Sequence, residues 1–214
     1  MNEIYIFLVY SLVLIGVMLV AELTFRFLHF TTEWTRKIAH IGAGIVALTY
    51  PHFIHNHLVV LALTVSFTLI LLISKKLDIF PSIFEVDRTS YGELFFVWTT
   101  WLLFLLYQTT NQVIYFYLPL AIVVFADPVA ALIGQSLPIV KLYKKSFGGS
   151  LAFFIISLFL TVLFMPADKF ENISFWLFAI FYALMLTITE LVSYQGLDNM
   201  SIPLAAVLLL KLFF

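Results

Sequence analysis

The sequence predicts an all-α polytopic membrane protein, a helical bundle with about eight transmembrane helices, with seven as the alternative. Hydrophobic residues make up 63% of the 214 positions and charged residues only 11%, whereas a soluble domain needs roughly 25% charged residues to cover its surface. The mean hydropathy is +1.09. The sequence also contains long, mainly apolar runs without a charged residue, such as 58–73, which excludes the alternating pattern of a membrane β-barrel.

Eight apolar runs are candidates for membrane spans, each of which needs about 20 mainly apolar residues. They cover residues 4–21, 38–54, 58–74, 91–107, 113–134, 150–165, 174–193 and 201–214. The second run is interrupted by Gly42, Gly44 and Pro51, and the eighth reaches the end of the sequence, so these two are the weakest. No stretch remains for a water-soluble domain, and a single membrane domain over residues 1–214 is expected.

Lysine and arginine residues concentrate on one side of the predicted membrane. The connections after the first, third and fifth helices contain Arg26, Arg36, Lys37, Lys75, Lys76, Arg88, Lys141, Lys144 and Lys145. The opposite side has Lys169 and Lys211. Because cytosolic loops are enriched in these residues, the basic loops are predicted to face the cytosol at a cell inner membrane or an endoplasmic-reticulum-type membrane. The formal net charge of −1 gives no reason to expect a nucleic-acid partner. The sequence does not specify an oligomeric state.

Three acidic residues lie within apolar runs, where they are costly. Glu93, Asp127 and Glu190 each fall on the predicted cytosolic side of their helix. An acid at the bilayer centre costs around 3 kcal/mol on insertion scales, and such residues usually mark a functional site. One alone could be a polar contact between helices, but three at similar depth predict one shared site. All three are candidate catalytic residues.

Cations, hydroxyls and glycines stand at the cytosolic ends of the same helices. Arg36, Lys37 and His40 open the second helix, at spacings that place His40 on one face with each of the two cations. Residues 145–150, Lys-Ser-Phe-Gly-Gly-Ser, open the sixth helix. A lysine, hydroxyls and glycines before a helix N-terminus suit a phosphate group. The same residues also suit an ordinary turn with an N-cap.

Asp198 and Asn199 follow the seventh helix, ahead of Pro203. Asp198 is a candidate magnesium ligand together with Asp127, because Mg²⁺ in phosphoryl chemistry is commonly held by one or two carboxylates plus substrate phosphates. The alternative is an Asp-Asn turn that caps the next helix. The chain has no cysteine, which excludes a thiolate metal site and a cysteine nucleophile.

Read together, five short motifs resemble one family. They are Arg36-Lys37-x-x-His40, Tyr91-Gly92-Glu93, Asp127-Pro128-x-Ala130-Ala131-x-x-Gly134, Lys145-Ser146-x-x-Gly149-Ser150, and Glu190 with Asp198-Asn199 and Pro203. The family is the group of dolichol kinases, phytol kinases and CTP-dependent diacylglycerol kinases, which is related to phosphatidate cytidylyltransferases. The resemblance covers about residues 34–205.

The resemblance implies a lipid kinase that transfers the γ-phosphate of a nucleoside triphosphate, with CTP favoured over ATP, to a membrane lipid. The acceptor would be the hydroxyl of a polyprenol, a phytol-like alcohol or diacylglycerol, and Asp127 and Asp198 would hold Mg²⁺. The candidate nucleotide- and phosphate-binding residues are Arg36, Lys37, His40, Gly134, Lys145, Ser146, Gly148, Gly149, Ser150 and Asn199.

The residue chemistry agrees with this interpretation, and two alternatives stay open beside it. Cations can neutralise the phosphates, and Glu93 or Glu190 can take the proton of the acceptor hydroxyl. A phosphatidate cytidylyltransferase-like CDP-lipid synthase would need a longer basic, glycine-rich loop than 196–199. An ion- or proton-coupled transporter would be favoured by inverted repeats, but the halves 1–107 and 108–214 share neither motifs nor charge placement.

Overall fold

The computed structural model confirms the predicted all-α membrane class. It describes residues 2–77, 79–84, 91–136, 140–142, 145–165 and 172–213. Arg88, Lys144 and Lys169, which contribute to the predicted charge distribution, lie outside the described residues. The chain divides into two compact units, Met1–Thr110 and Asn111–Phe214. The expectation of one domain stays a prediction.

Five helices are long and apolar enough to cross a membrane. They are Glu3–Leu28, His57–Leu77, Ile114–Ser136, Phe147–Phe164 and Ile173–Val192. The chain is therefore a multi-pass membrane protein. The predicted total of about eight spans depends on three further helices that are shorter or more polar, Thr32–Leu48, Gly92–Thr110 and Asp198–Phe213. That total stays a prediction, as does the cytosolic orientation of the basic end.

The first unit contains long helices joined by short helical turns. Its elements are α1 (Glu3–Leu28), α2 (Thr32–Leu48), α3 (Tyr50–Phe53), α4 (His57–Leu77), α5 (Pro81–Phe84) and α6 (Gly92–Thr110). Helix α1 packs against α2, α4 and α5, and α4 packs against α6. The core cluster of this unit contains Leu14, Met18, Phe67, Leu71 and Ile83.

Two helix boundaries in this unit differ from the prediction. Helix α1 continues past residue 21 to Leu28, because Glu22 and Arg26 form an ion pair one turn apart that satisfies both charges within the helix. Arg26 thus lies in the last turn of α1 and not in the following loop. Helix α2 begins at Thr32, so Arg36 and Lys37 lie in its second turn and do not open it.

Polar contacts gather three chain segments at one end of the first unit. The side-chain amide of Asn56 donates to Glu3 at 3.0 Å. The side chain of Gln108 accepts the backbone N–H of His57 at 2.8 Å and donates to the carbonyl of His55 at 2.6 Å. The start of α1, the α3–α4 connection and the end of α6 therefore meet there, as helices that alternate in direction require.

The second unit is organised around one long, interrupted helix. Its elements are α7 (Ile114–Ala121), a π-helical turn (Ile122–Ala126), α8 (Asp127–Ser136), β1 (Lys141–Leu142), β2 (Lys145–Ser146), α9 (Phe147–Phe164), α10 (Ile173–Val192) and α11 (Asp198–Phe213). The two short strands are antiparallel, with Lys141 opposite Ser146. Helix α9 packs against α8 and α10, and α11 packs against α7 and α10.

Aromatic contacts define the end of the second unit that lies away from Lys145. The ammonium of Lys211 lies 5.9 Å from the ring centre of Tyr115. The rings of Phe178 and Phe213 are 4.9 Å apart. The end of α11 therefore lies beside the starts of α7 and α10, which separates Lys211 from Lys145 as the predicted topology requires.

Cysteine labelling can test this topology in a chain that has no cysteine of its own. Gln112 and Lys141 are exposed and flank the helix that runs from Ile114 to Ser136, a length of about 34 Å at 1.5 Å per residue. We expect Gln112→Cys and Lys141→Cys to react with a membrane-impermeant maleimide from opposite sides of the membrane. Reaction of both from the same side would contradict the topology, and the unsubstituted chain is the control for background labelling.

Candidate active site

The second unit brings together one lysine and three acids beside the start of α9. Lys145 in β2 forms a hydrogen-bonded ion pair with Oε1 of Glu190 near the end of α10. The Lys145 Nζ atom is also 3.7 Å from Oδ2 of Asp198. Asp127 and Asp198 both lie close enough to Glu190 for their charges to interact with it. These four residues form the lysine–acid cluster.

Burial is uneven within the lysine–acid cluster. The side chain of Glu190 is 5% exposed, whereas that of Lys145 is 23% exposed. The second carboxylate oxygen of Glu190, Oε2, is buried and has no hydrogen-bond partner among the described residues. Burying a carboxylate is costly unless it is paired. Lys145 is therefore the counterion that offsets the burial of Glu190.

An irregular helix positions Asp127. The π-helical turn Ile122–Ala126 precedes it and Pro128 follows it. Proline lacks an N–H donor and crowds the carbonyl four residues earlier, and π-helical turns often occur at functional sites. The sequence predicts an uninterrupted run over 113–134, so the position of Asp127 in a distorted segment is a finding of the structure.

Ser146 caps helix α9. Its Oγ accepts the backbone N–H of Gly149 at 3.1 Å, and the N–H of Phe147 donates to the carbonyl of Val140 at 2.9 Å. Gly148, at the second helical position, has an N–H that the helix cannot satisfy. The hydroxyl of Ser150 is buried without a hydrogen-bond partner in the described ranges. The helix start thus combines an ordinary N-cap with donors that remain available to an anion.

Gly134 and Gly149 allow α8 and α9 to approach closely. A Cβ atom on Gly149 would lie 2.7 Å from the carbonyl oxygen of Ala130, and one on Gly134 would lie 2.8 Å from Oγ of Ser146. The first contact involves backbone and cannot easily relax. The two glycines therefore hold the helix that begins at Asp127 against the start of α9. Their direct contact with a nucleotide stays a prediction.

A tight turn returns the chain from α10 to the lysine–acid cluster. Gly196 has a φ of 85° and Gln195 a φ of 54°, a left-handed conformation that favours glycine. Asp198 and Asn199 then lie in the first turn of α11, and not in the loop where the sequence pattern places them. The helix starts earlier than predicted because this turn uses only residues 193–197.

The first unit contains the other predicted site residues. The Nε atom of Arg36 is 3.3 Å from Oε1 of Glu93, and the Nη1 atom of Arg36 is 4.0 Å from Oε2 of Glu33. Lys37 is buried, and the ring centre of His40 lies 4.4 Å from that of Phe96. The structure therefore joins the first two sequence motifs through an ion pair between Arg36 and Glu93.

Sequence reasoning missed the structural role of Glu22. This carboxylate is buried, pairs with Arg26 and accepts the backbone N–H of Ser82 at 3.3 Å. The hydroxyl of Thr35 donates to the carbonyl of Ser82 at 2.7 Å. Together these contacts hold α5 against α1 and α2. An acid within an apolar helix and one turn before an arginine is the signal that could have identified it.

The carboxylates of the second unit are of the kind that can hold a divalent metal ion together with phosphate ligands. Within the described ranges, no three histidine, aspartate or glutamate side chains are close enough to hold a metal ion by themselves. Mg²⁺ needs only one or two carboxylates where phosphates supply other ligands. Asp127 and Asp198 offer such oxygens near Glu190, whose Oε2 has no partner in the described part of the chain.

Comparison with known proteins identifies the family. The chain is 30% identical over 203 residues to a phytol kinase of Synechocystis sp., and the match covers 91% of this chain and 85% of the relative. Neither a family model nor a solved structure matches it. The matched length is too great to be confined to either unit. At this identity and coverage, the chain belongs to the phytol kinase family.

Proposed function

We propose that this protein is a membrane lipid-alcohol kinase. It transfers the γ-phosphate of a nucleoside triphosphate, with CTP favoured over ATP, to the hydroxyl of a polyprenol, a phytol-like alcohol or diacylglycerol. The observation that carries the proposal is the similarity to a phytol kinase over most of the chain. The lysine–acid cluster beside the start of α9 supports the proposal, because phosphoryl transfer needs cations for the phosphates and a carboxylate for the proton of the acceptor.

The nucleotide phosphates bind at the start of α9. Phosphoryl transfer asks a protein for positioning and charge stabilisation more than for covalent chemistry. Lys145 supplies a cation, and the N–H of Gly148 and the positive end of the helix supply further stabilisation. The hydroxyl of Ser150 has no hydrogen-bond partner among the described residues and can donate. The assignment of Arg36 and Lys37, in the first unit, as nucleotide-binding cations stays a prediction.

Asp127 and Asp198 are the residues that would hold Mg²⁺. The ion, when bound, supplies neutralisation of charge on the phosphates. Asp127 is buried at the start of α8, whereas the side chain of Asp198 is 19% exposed. The two carboxylates also belong to different helices, so their separation depends on the packing of α11 against the π-helical turn that precedes α8.

Glu190 takes the proton of the lipid hydroxyl. The alcohol oxygen forms a bond to the γ-phosphorus while the bond from that phosphorus to the bridging oxygen breaks, and the nucleoside diphosphate leaves. Glu190 lies near the end of α10, where a lipid that enters from the bilayer would place its hydroxyl at headgroup depth. Glu93, which Arg36 engages, is the alternative proton acceptor.

The position of a phosphate label separates a kinase from a CDP-lipid synthase. We expect purified protein in detergent with Mg²⁺ to transfer label from the γ-phosphate of CTP, and not from its α-phosphate, to the lipid. A phosphatidate acceptor would bring roughly two more negative charges to a cluster that has three acids and one lysine, and such burial is unfavourable. A neutral alcohol brings none.

Parallel reactions identify the substrates and define the contrary outcomes. ATP replaces CTP in one series, and phytol, a polyprenol and diacylglycerol are compared as acceptors. Label from the α-phosphate in a CDP-linked lipid would overturn the kinase assignment. Absence of label from either donor with all three acceptors would also contradict it.

A further inference from the structure

The lysine that is expected to bind phosphate is also bound by carboxylates. Lys145 pairs with Glu190 and lies 3.7 Å from Asp198. A nucleoside triphosphate would bring several negative charges to the same ammonium group. That ammonium has three N–H donors and one positive charge. Carboxylates and phosphates therefore compete for the same hydrogen bonds and the same charge. Two groups that the reaction needs, a phosphate-binding cation and a proton acceptor, neutralise each other in the ion pair.

We propose that Glu190 and the nucleotide compete for Lys145, and that binding of the nucleotide thereby releases Glu190 to act on the lipid hydroxyl. The inference rests on the proposed kinase function and deepens it. It makes nucleotide binding the first step and acceptor activation the second. Glu190 would then become available as the proton acceptor only after the nucleotide has bound Lys145.

The unequal burial of the two partners determines which one moves. The side chain of Lys145 is 23% exposed and that of Glu190 is 5% exposed. Lysine has a flexible four-carbon stem, and Lys145 stands two residues before the first residue of α9. Glu190 is held in the last part of α10 next to buried Leu186 and Ser193. Lys145 can therefore turn toward phosphates at the helix start while Glu190 stays in place.

The consequence for the chemistry follows from the two oxygens of Glu190. Oε1 accepts from Lys145, and Oε2 has no hydrogen-bond partner among the described residues. Once Lys145 has moved to the phosphates, the carboxylate can bind the lipid hydroxyl and accept its proton as the new bond to phosphorus forms. Before that movement the ammonium of Lys145 is bound to Oε1 and keeps the carboxylate paired.

A purely structural role of Glu190 predicts the opposite effect on nucleotide affinity. If Glu190 only orients Lys145 toward phosphates, its loss weakens nucleotide binding. If Glu190 competes with phosphates, its loss frees the lysine and removes a nearby negative charge, so that the nucleotide binds more tightly. The sign of the change in Kd therefore distinguishes the two roles.

The test measures CTP binding to purified full-length protein in detergent with EDTA, so that no metal ion contributes. We expect Glu190→Gln to lower the Kd for CTP by about 5-fold, the size of one partly screened unit charge, while kcat with Mg²⁺ falls. Glu3→Gln is the matched control, because this exposed carboxylate bonds Asn56 and lies outside the cluster. Its Kd for CTP should equal that of the unsubstituted protein.

A second variant keeps the inference testable if Glu190→Gln does not fold. Asp198→Asn removes the more exposed and more distant carboxylate, and it should lower the Kd for CTP by a smaller factor. Unchanged or weaker CTP binding in the folded variants would overturn the competition, but the kinase assignment would stand if γ-label still reaches the lipid. Failure of the unsubstituted protein to bind CTP and ATP with Mg²⁺ as well as with EDTA would overturn both.

Discussion

Lys145→Met is expected to abolish phosphoryl transfer and to destabilise the protein. The substitution leaves Glu190 buried without its cation, and removal of one partner of a buried ion pair costs about 3–5 kcal/mol. It also removes a cation from the phosphates, and we expect kcat/KM to fall by about 10³-fold, as for other groups that stabilise transition-state charge. Thermal unfolding in detergent measures the first effect, and turnover with Mg²⁺ and labelled CTP measures the second.

A double variant separates the two effects of Lys145. Lys145→Met combined with Glu190→Gln removes both charges, so most of the lost stability should return, because loss of both partners of a buried pair costs much less than loss of one. Activity should not return. Lys141→Met changes an exposed position in the paired strand β1 and is the matched control. It should retain both the stability and the activity of the unsubstituted protein. Equal stability of the single and double variants would show that Lys145 is not the counterion of Glu190.

Asp127→Asn is expected to abolish turnover without loss of stability. Asparagine has nearly the same shape, and the change removes a negative charge that interacts with buried Glu190, so the free energy of unfolding should stay the same or rise. Turnover should fall by at least about 10²-fold, because a carboxylate assigned to the metal ion becomes an amide. The measurements are the rate of γ-phosphate transfer and the unfolding temperature in detergent.

Two further variants test whether the loss of turnover comes from the loss of a metal-binding carboxylate. Asp127→Glu keeps the charge and should retain more activity than Asp127→Asn. Asp198→Asn should reduce turnover as Asp127→Asn does. Activity of Asp127→Asn equal to that of the unsubstituted protein would remove Asp127 from the metal site, whereas failure of this variant to fold would indicate a structural role instead.

The membrane class could be predicted because it follows from local composition. Mainly apolar runs near 20 residues leave few alternatives to a transmembrane helix. The ends of the helices were less predictable, because polar residues normally signal an end. In α1 that signal fails, because Glu22 and Arg26 pair with each other within the helix. Glu22 also accepts the backbone N–H of Ser82, so its charge is satisfied and the helix extends past the predicted boundary.

The candidate site could be predicted only in its residue types. An acid in an apolar run is costly wherever it lies, which is why Glu93, Asp127 and Glu190 were identifiable. The pairing of Lys145 with Glu190 joins residues 45 positions apart and depends on the packing of α9 and α10, which no local pattern specifies. The π-helical turn had only an indirect signal, because Ile, Val, Phe and Ala at 122–126 contain no helix breaker, and Pro128 indicates a distortion of the preceding turn without specifying its type.

That π-helical turn determines where the helix can change in length without redirecting the site. A π-helical turn accommodates one residue more than an α-helical turn of the same span. Loss of a single residue from 122–126 would convert the wide turn into an α-helical turn and leave the faces of the segments before and after it nearly aligned, whereas loss of one residue from the regular part of the helix would rotate every later residue by about 100°. The direction of the Asp127 carboxylate would thus survive a deletion within the π-helical turn but not one within α7.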